Sequence, residues 1–314
     1  MRRLKCTRGK ICWCLSLSPL SMPSVRYAAS LCLHAASFNL PVGMKFKNKY
    51  AKNIAQTVCR QFDRLCAAQA AKPYLTERDG VLALNFDAMS VQSEMYVDRP
   101  DELVISYTRA MMSFLLLNPA PERIAMIGLG GGSIAKYCYR NLPAAEIKVI
   151  EISPDVIALR NEFAIPADDA RFSVLAGDGA HWVAAAQGVA DVLIVDGFDT
   201  DGLPAALSSQ RFYDDCFAAL ADSGILAVNL WGGYPHYEDY LARISNSFAG
   251  RIVVVDSDDE FNKIVLAVKN GAFPPDVSFI RQHANVLDLS HPLNFQSKSN
   301  RLIGALKAVN AGMD

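Results

Sequence analysis

The 314-residue chain is 51% hydrophobic and 20% charged, with a net charge of −1 and a pI near 6.5. Ample apolar material excludes a wholly disordered chain, and the charge balance excludes the overall basic field of a nucleic-acid binder. No apolar run reaches the length of about 18 residues that a spanning helix needs, and the eight cysteines lack CxxC spacing, so they read as free thiols of a reducing cytosol and not as a zinc site.

Residues 1–43 stand apart. They contain no Asp or Glu, six Lys or Arg and four of the cysteines, which leaves 25 basic and 32 acidic residues, a net charge of −7, for residues 44–314. A targeting leader, a signal segment around Ile11–Leu17, and an extension upstream of a start at Met44 are the three readings of this stretch. The charge break favours the last, and residues 1–43 are set aside from the fold.

Residues 44–118 read as an N-terminal helix followed by a small β segment. Ile54, Val58, Phe62, Leu65 and Ala68 recur at helical spacing within 48–71, and Pro73 stops that helix. Tyr74–Thr76 and Val81–Phe86 flank a turn at Glu77–Gly80 and predict a hairpin. A short strand over Ser90–Met95 and an apolar helix over Asp101–Leu117 follow, the helix ending before Asn118-Pro119.

From residue 119 to 270 short apolar strands alternate with helix-length segments. The strands are expected at Ile124–Ile127, Ile147–Ile150, Phe172–Leu175, Val192–Val195, Ile225–Val228, Ile252–Val255 and Ile264–Val268. Helices are expected at 132–141, 154–163, 179–187, 208–221 and 237–248. This alternation predicts a parallel sheet covered on both faces. Too few residues separate the last two strands for a helical crossover, so they must pair antiparallel. Seven strands ending in a hairpin form an α/β, Rossmann-like sheet of the class I AdoMet-methyltransferase type. Residues 271–314 read as a helical tail.

Four motifs fall at the carboxyl ends of successive strands. Gly128-Leu129-Gly130-Gly131-Gly132 follows the first strand and opens a helix, so its backbone can approach a ligand closely. A tight turn without a ligand is the alternative. Glu151 ends the next strand, where a carboxylate accepts hydrogen bonds from ribose hydroxyls. Asp178-Gly179 follows the third, where an Asp can take the adenine amine or simply cap the next helix. Asp196, Asp199 and Asp201 cluster after the fourth, a natural seat for a protonated amine, with a metal ion as the rival guest, short of ligands in this loop alone, and a plain polar loop as the alternative. His181, His236, His283 and His291 read as structural or exposed. Asp256-Ser257-Asp258-Asp259-Glu260 reads as a solvated turn, with an amine pocket as the alternative.

Taken together, residues 74–270 resemble the spermidine synthase (polyamine aminopropyltransferase) family. The most specific part is Asp196-x-x-Asp199-x-x-Gly202 followed by Leu207 and Phe212-Tyr213, similar to the family's D-x-x-D-P-x-G-P gate-loop segment. The resemblance implies that Asp196 is the base that deprotonates an attacking amine and that Asp199 holds the amine. It implies nucleotide binding by Gly128, Gly130, Gly131, Glu151, Asp178 and Gly179, and substrate contacts from Gln92 and Tyr107. The implied reaction moves an aminopropyl group from decarboxylated AdoMet to a di- or polyamine such as putrescine, with no metal and no tightly bound cofactor. An AdoMet-dependent methyltransferase of a small substrate and a non-catalytic nucleotide binder are the alternatives on the same fold. The implied partners are small molecules, with no nucleic acid and no membrane, in the cytoplasm. The family commonly dimerises through such an N-terminal segment, which leaves a homodimer open.

The chain departs from the family pattern in ways that bear on the amine half. Gly131 stands where the family has an Asp, Thr200 replaces the loop Pro, and Asn229 replaces a Gln. Trp231-Gly232-Gly233 stands in place of an acidic residue, and the tyrosine-rich acceptor segment is missing. Without an acid at 131, weak discrimination between decarboxylated AdoMet and AdoMet is expected.

Overall fold

The computed structural model describes residues 72–86, 91–198, 202–259 and 261–311. The segment 1–43 and the helix expected over 48–71 lie outside them. A small antiparallel sheet comes first, made of β1 (Tyr74–Arg78), β2 (Val81–Asn85) and β3 (Val91–Tyr96), in the order β1-β2-β3. Asp79 and Gly80 both take positive φ in the two-residue turn between β1 and β2, the geometry that matches strand twist in a tight hairpin.

The next segment differs from its expected single helix over Asp101–Leu117. Only α1 (Ser106–Met111) is α-helical, and it tightens into a 3-10 turn over Met112–Leu116. The residues before it are held another way: Arg109 Nη1 donates to the carbonyls of Leu103 and Val104, at 2.9 and 2.5 Å, and Thr108 Oγ1 to that of Ile105 at 2.6 Å. Side-chain donors thus stand in for a first helical turn. Met111 through Leu116 are all buried, so the apolar run there has no exposed face to mark a helix.

The main sheet comprises β4 (Arg123–Ile127), β5 (Glu146–Glu151), β6 (Phe172–Ala176), β7 (Ala190–Val195), β8 (Leu220–Trp231), β9 (Ile252–Asp256) and β10 (Asn262–Val268). Their order is β6-β5-β4-β7-β8-β10-β9. The first five are parallel, and β10 runs antiparallel to both β8 and β9, as the short connection requires.

Alternate residues of the central strands feed two separate cores. Ile124, Met126, Val192, Ile194, Ile225 and Ala227 pack on one face; Ala125, Ile127, Leu193, Val195, Leu226 and Val228 pack on the other. A period of two with both sets buried is the mark of a strand covered on both faces. The first face carries α2 (Ser133–Asn141), α7 (Val277–Leu287) and α8 (Phe295–Ala311). The second carries α4 (Gly179–Ala185), α5 (Gln210–Ala219) and α6 (Tyr237–Ser247). The helix expected over 154–163 is shorter, α3 (Pro154–Ala158), capped by the Ser153 side chain.

The topology itself selects a site. From β4 the chain runs outward to β5 and β6, then returns to place β7 against the other side of β4, with Val195 paired to Ile127. A crevice opens beyond the carboxyl ends of strands where the winding direction reverses in this way.

Candidate active site

A cleft of about 660 Å³ occupies that crevice. Its floor is the meeting of two loops. Gly128 follows β4 with φ +94°, and a Cβ built there would lie 2.2 Å from the carbonyl oxygen of Asp196. Only glycine allows the two loops to meet so closely, so the glycine loop is required for packing before any ligand is considered.

Glu151 ends β5 with its side chain turned inward and almost fully buried. Its Oε2 accepts from Leu129 N–H and its Oε1 from Ser153 N–H, both at 2.8 Å. The carboxylate therefore ties the glycine loop to the turn after β5. Each oxygen has a second lone pair, and Glu151 lines the cleft. Asp178 caps α4, accepting from Ala180 N–H at 2.7 Å and His181 N–H at 3.4 Å. The capping alternative is thus realised, and Asp178 and Gly179 line the cleft as well.

Asp196 follows β7 in the wall of the cleft. Its two oxygens have different donors: Tyr107 Oη reaches Oδ2 at 3.1 Å and Asn229 Nδ2 reaches Oδ1 at 2.9 Å. Asn229 Oδ1 in turn accepts from Asn262 Nδ2 at 3.0 Å. Burial pushes the Asp196 carboxyl above its ordinary range, and the Asn229 and Tyr107 hydrogen bonds pull against that rise. Burial first, and then the neighbouring carboxylate, hold the Tyr107 hydroxyl well above its ordinary value. Tyr107 is therefore a neutral donor to an acid whose affinity for a proton is enhanced.

Of the sequence candidates, Gln92, Tyr107, Gly128, Gly130, Glu151, Asp178, Gly179 and Asp196 all line this cleft. Gly131 is not in its wall. A Cβ at 131 would lie 2.6 Å from Ser93 Oγ and 2.8 Å from the Phe163 ring. Asp199 lies outside the described residues. Tyr107, expected to contact substrate, lines the wall and also donates to Asp196.

The acidic run takes the turn between β9 and β10, and its described carboxylates are paired within the protein. Asp256 pairs with Lys263 at 2.7 Å, Asp258 with Arg301 at 2.5 Å and Arg109 at 3.7 Å, and Asp259 accepts from Ser106 Oγ at 2.5 Å. None of the three lines the cleft.

Several wall residues carried no functional expectation. Trp231, Tyr234 and Tyr240 line the end next to Asn229, with Tyr234 stacked on Tyr240 at 5.9 Å. Ser93 and Ser133 bring their hydroxyls within 3.4 Å of each other beside the glycine loop. Among the described residues no group of three or more potential ligands could hold a metal ion, and no helix is long and apolar enough to cross a membrane.

Residues 104–255 match the spermine/spermidine synthase domain family. A polyamine aminopropyltransferase of Neisseria meningitidis serogroup A is 34% identical over 253 residues, covering 79% of this chain and 95% of that protein. One of Chromobacterium violaceum is 35% identical over 229 residues, covering 73% and 88% respectively. Among solved structures, a probable spermidine synthase from Corynebacterium glutamicum superposes with a TM-score of 0.58 at 18% identity, covering 68% of this chain and 83% of its own.

Proposed function

The chain belongs to the spermine/spermidine synthase family, and from that premise we propose that it transfers an aminopropyl group from decarboxylated AdoMet to a di- or polyamine of the putrescine type, with Asp196 as the base. The observation that carries the catalytic part is the seating of Asp196: a carboxylate in the cleft wall, one donor on each oxygen, its proton affinity raised by burial.

The chemistry asks little of the protein beyond placement. An amine is protonated near neutral pH and has no lone pair to use. Asp196 accepts one proton, and the freed nitrogen attacks the methylene beside the sulfonium. The carbon–sulfur electron pair returns to sulfur, giving a neutral thioether, methylthioadenosine, and a new carbon–nitrogen bond. Sulfonium is already a good leaving group, so proximity and proton removal carry the catalysis. A carboxyl with raised proton affinity is a better match to this task than an ordinary one.

The remaining assignments follow the same cleft. Glu151 faces the ribose with its free lone pairs, Asp178 and Gly179 border the adenine, and Gly128 and Gly130 let the loop approach the nucleotide. Gln92 on β3 contacts the donor chain, and Asp199 holds the acceptor. The aromatic faces of Trp231, Tyr234 and Tyr240 border the acceptor end, where a cation is attracted to ring faces.

The test is incubation of the purified protein with decarboxylated AdoMet and putrescine, followed by mass spectrometry. Equal amounts of methylthioadenosine and an aminopropylated amine are expected. Methylated product from AdoMet, with no transfer from the decarboxylated donor, would overturn the proposal in favour of a methyltransferase.

A further inference from the structure

We propose that Asn262, at the start of β10, is a positioning residue for Asp196: by donating to Asn229 Oδ1 at 3.0 Å it holds the Asn229 amide with Nδ2 turned toward Asp196, at 2.9 Å. The consequence for turnover rests on the reading of Asp196 as base; the positioning itself does not.

A side-chain amide has one donor end and one acceptor end. Asn229 is 2% exposed, so both ends need protein partners. An ionised Asp196 can only accept, which requires the nitrogen of Asn229 on its side. The oxygen then faces Asn262, and a donor is needed there. Asn262 supplies it. Reversing Asn229 would put two acceptors face to face, unless Asp196 carries a proton.

The placement of Asn262 is well determined. In the β8–β10 ladder Asn262 stands opposite Trp231 and Ile264 opposite Asn229. Its backbone is fixed by the buried Ser257, whose N–H and hydroxyl both donate to the Asn262 carbonyl at 3.0 Å. The same turn reaches α1, where Ser106 and Arg109 bond Asp259 and Asp258 on either side of Tyr107 in sequence. One β-hairpin thus steadies both donors of Asp196, Asn229 through Asn262 and Tyr107 through the helix that carries it.

Among the described residues, the charged groups around this chain of bonds are these. Tyr107 touches Asp196 from α1, while Glu151 and Asp178 line the same cleft from the ends of β5 and β6. The Asp256–Lys263 pair flanks Asn262 on the hairpin, and Asp258 and Asp259 are held by Arg301, Arg109 and Ser106.

The decisive variants are Asn262→Asp and Asn262→Leu, each alone and in an Asn229→Leu background. Asp at 262 demands the donor end of Asn229 for itself; Leu leaves the amide free to face either way. The readouts are the titration of the Asp196 carboxyl carbon by 13C NMR, assigned by its loss in Asp196→Asn, and the pH profile of kcat. Asn262→Asp should raise the Asp196 midpoint by about one pH unit or more, and Asn262→Leu by less. With Asn229→Leu present, Asn262→Asp should move the midpoint by less than half as much, because the amide that couples them is gone. Asn262 also lines the cleft, so the uncharged Asn262→Leu is the variant in which the KM for the amine should stay within about twofold, a positioning role acting on kcat and not on binding. An unmoved midpoint in a folded Asn262→Asp protein, or an equal shift without Asn229, would overturn the proposal. A midpoint that moves while the acid limb of kcat does not would uphold the positioning role and remove Asp196 as base.

Discussion

The Tyr107 hydroxyl meets Asp196 Oδ2 at 3.1 Å, although 89 residues separate the two in sequence. The contact joins the helix before the main sheet to the loop after β7, and it sets how Tyr107 can serve the reaction. A phenol donating to the base steadies its ionised form, whereas a phenol contacting substrate would contribute to binding. Tyr107→Phe separates these roles. It removes a hydrogen bond to a charged group, on the order of 1.5–3 kcal/mol, so the Asp196 midpoint rises further. The acid limb of kcat should move to higher pH, with the loss of kcat greatest on the acid side and the KM for the amine little changed. A rise in KM at constant kcat would place Tyr107 on the substrate instead.

Asp196→Asn should separate activity from stability. Turnover should fall by about 10²–10⁴-fold, the range of a lost general base. Stability should move the other way or not at all. Burial raises the folded-state pKa of Asp196, so the native protein binds that proton more tightly than the unfolded chain. The ionised form is then a cost to folding, present above the raised pKa and relieved as pH falls through it. Asn carries no charge to desolvate and can still partner Asn229 and Tyr107. Calorimetry at neutral pH should show an unchanged or higher melting temperature, and a fall of several degrees would mean that the charge itself holds the loop in place.

Glu151→Ala should fail in two ways at once. Glu151 satisfies the N–H groups of Leu129 and Ser153, and each buried donor left unpaired costs about 1–3 kcal/mol. A loss of roughly 2–4 kcal/mol in stability is therefore expected together with weaker nucleotide binding. Denaturant unfolding and titration with methylthioadenosine measure the two separately. Weaker binding with unchanged stability would show that the glycine loop holds its shape without this carboxylate.

The part of the cleft wall built from strand ends was legible because each of its residues stands at or just past the end of a strand. Gly128, Glu151, Asp178 and Asp196 come at the ends of β4, β5, β6 and β7, and strand ends can be read from apolar runs. Asn262 gave no such signal. Its value comes from the β8–β10 register and from the orientation of one amide, neither of which leaves a local pattern. The helix expected over Asp101–Leu117 failed for a related reason: Arg109 satisfies carbonyls that a helical turn would otherwise use, and an isolated arginine gives no hint of that. The charge run Asp256–Glu260 could be read as a solvated turn or an amine pocket but not as a set of ion pairs, because its partners Arg109, Arg301 and Ser106 are distant in sequence.

Donor choice can be tested at Gly131, although that residue is not in the cleft wall. The resemblance implies an Asp at this position in the family, so Gly131→Asp would be the natural way to build selectivity for a donor ending in a bare ammonium. The structure argues against that outcome. A Cβ at 131 meets Ser93 Oγ at 2.6 Å and the Phe163 ring at 2.8 Å, and Phe163 is fully buried. The hydroxyl can rotate away, but the ring is packed within the core and cannot yield without moving its neighbours. Overpacking of this kind costs about 1–3 kcal/mol. Gly131→Asp should therefore lower the melting temperature by several degrees while leaving donor choice weak. The natural protein should distinguish decarboxylated AdoMet from AdoMet by less than about tenfold, or roughly 1.4 kcal/mol, because Gly131 presents no carboxylate to attract one or repel the other. Titration calorimetry with both donors, on both proteins, checks each part. A preference above about a hundredfold in the natural protein, roughly 2.7 kcal/mol, would show that another acid supplies the selectivity, with Asp199 the first to replace.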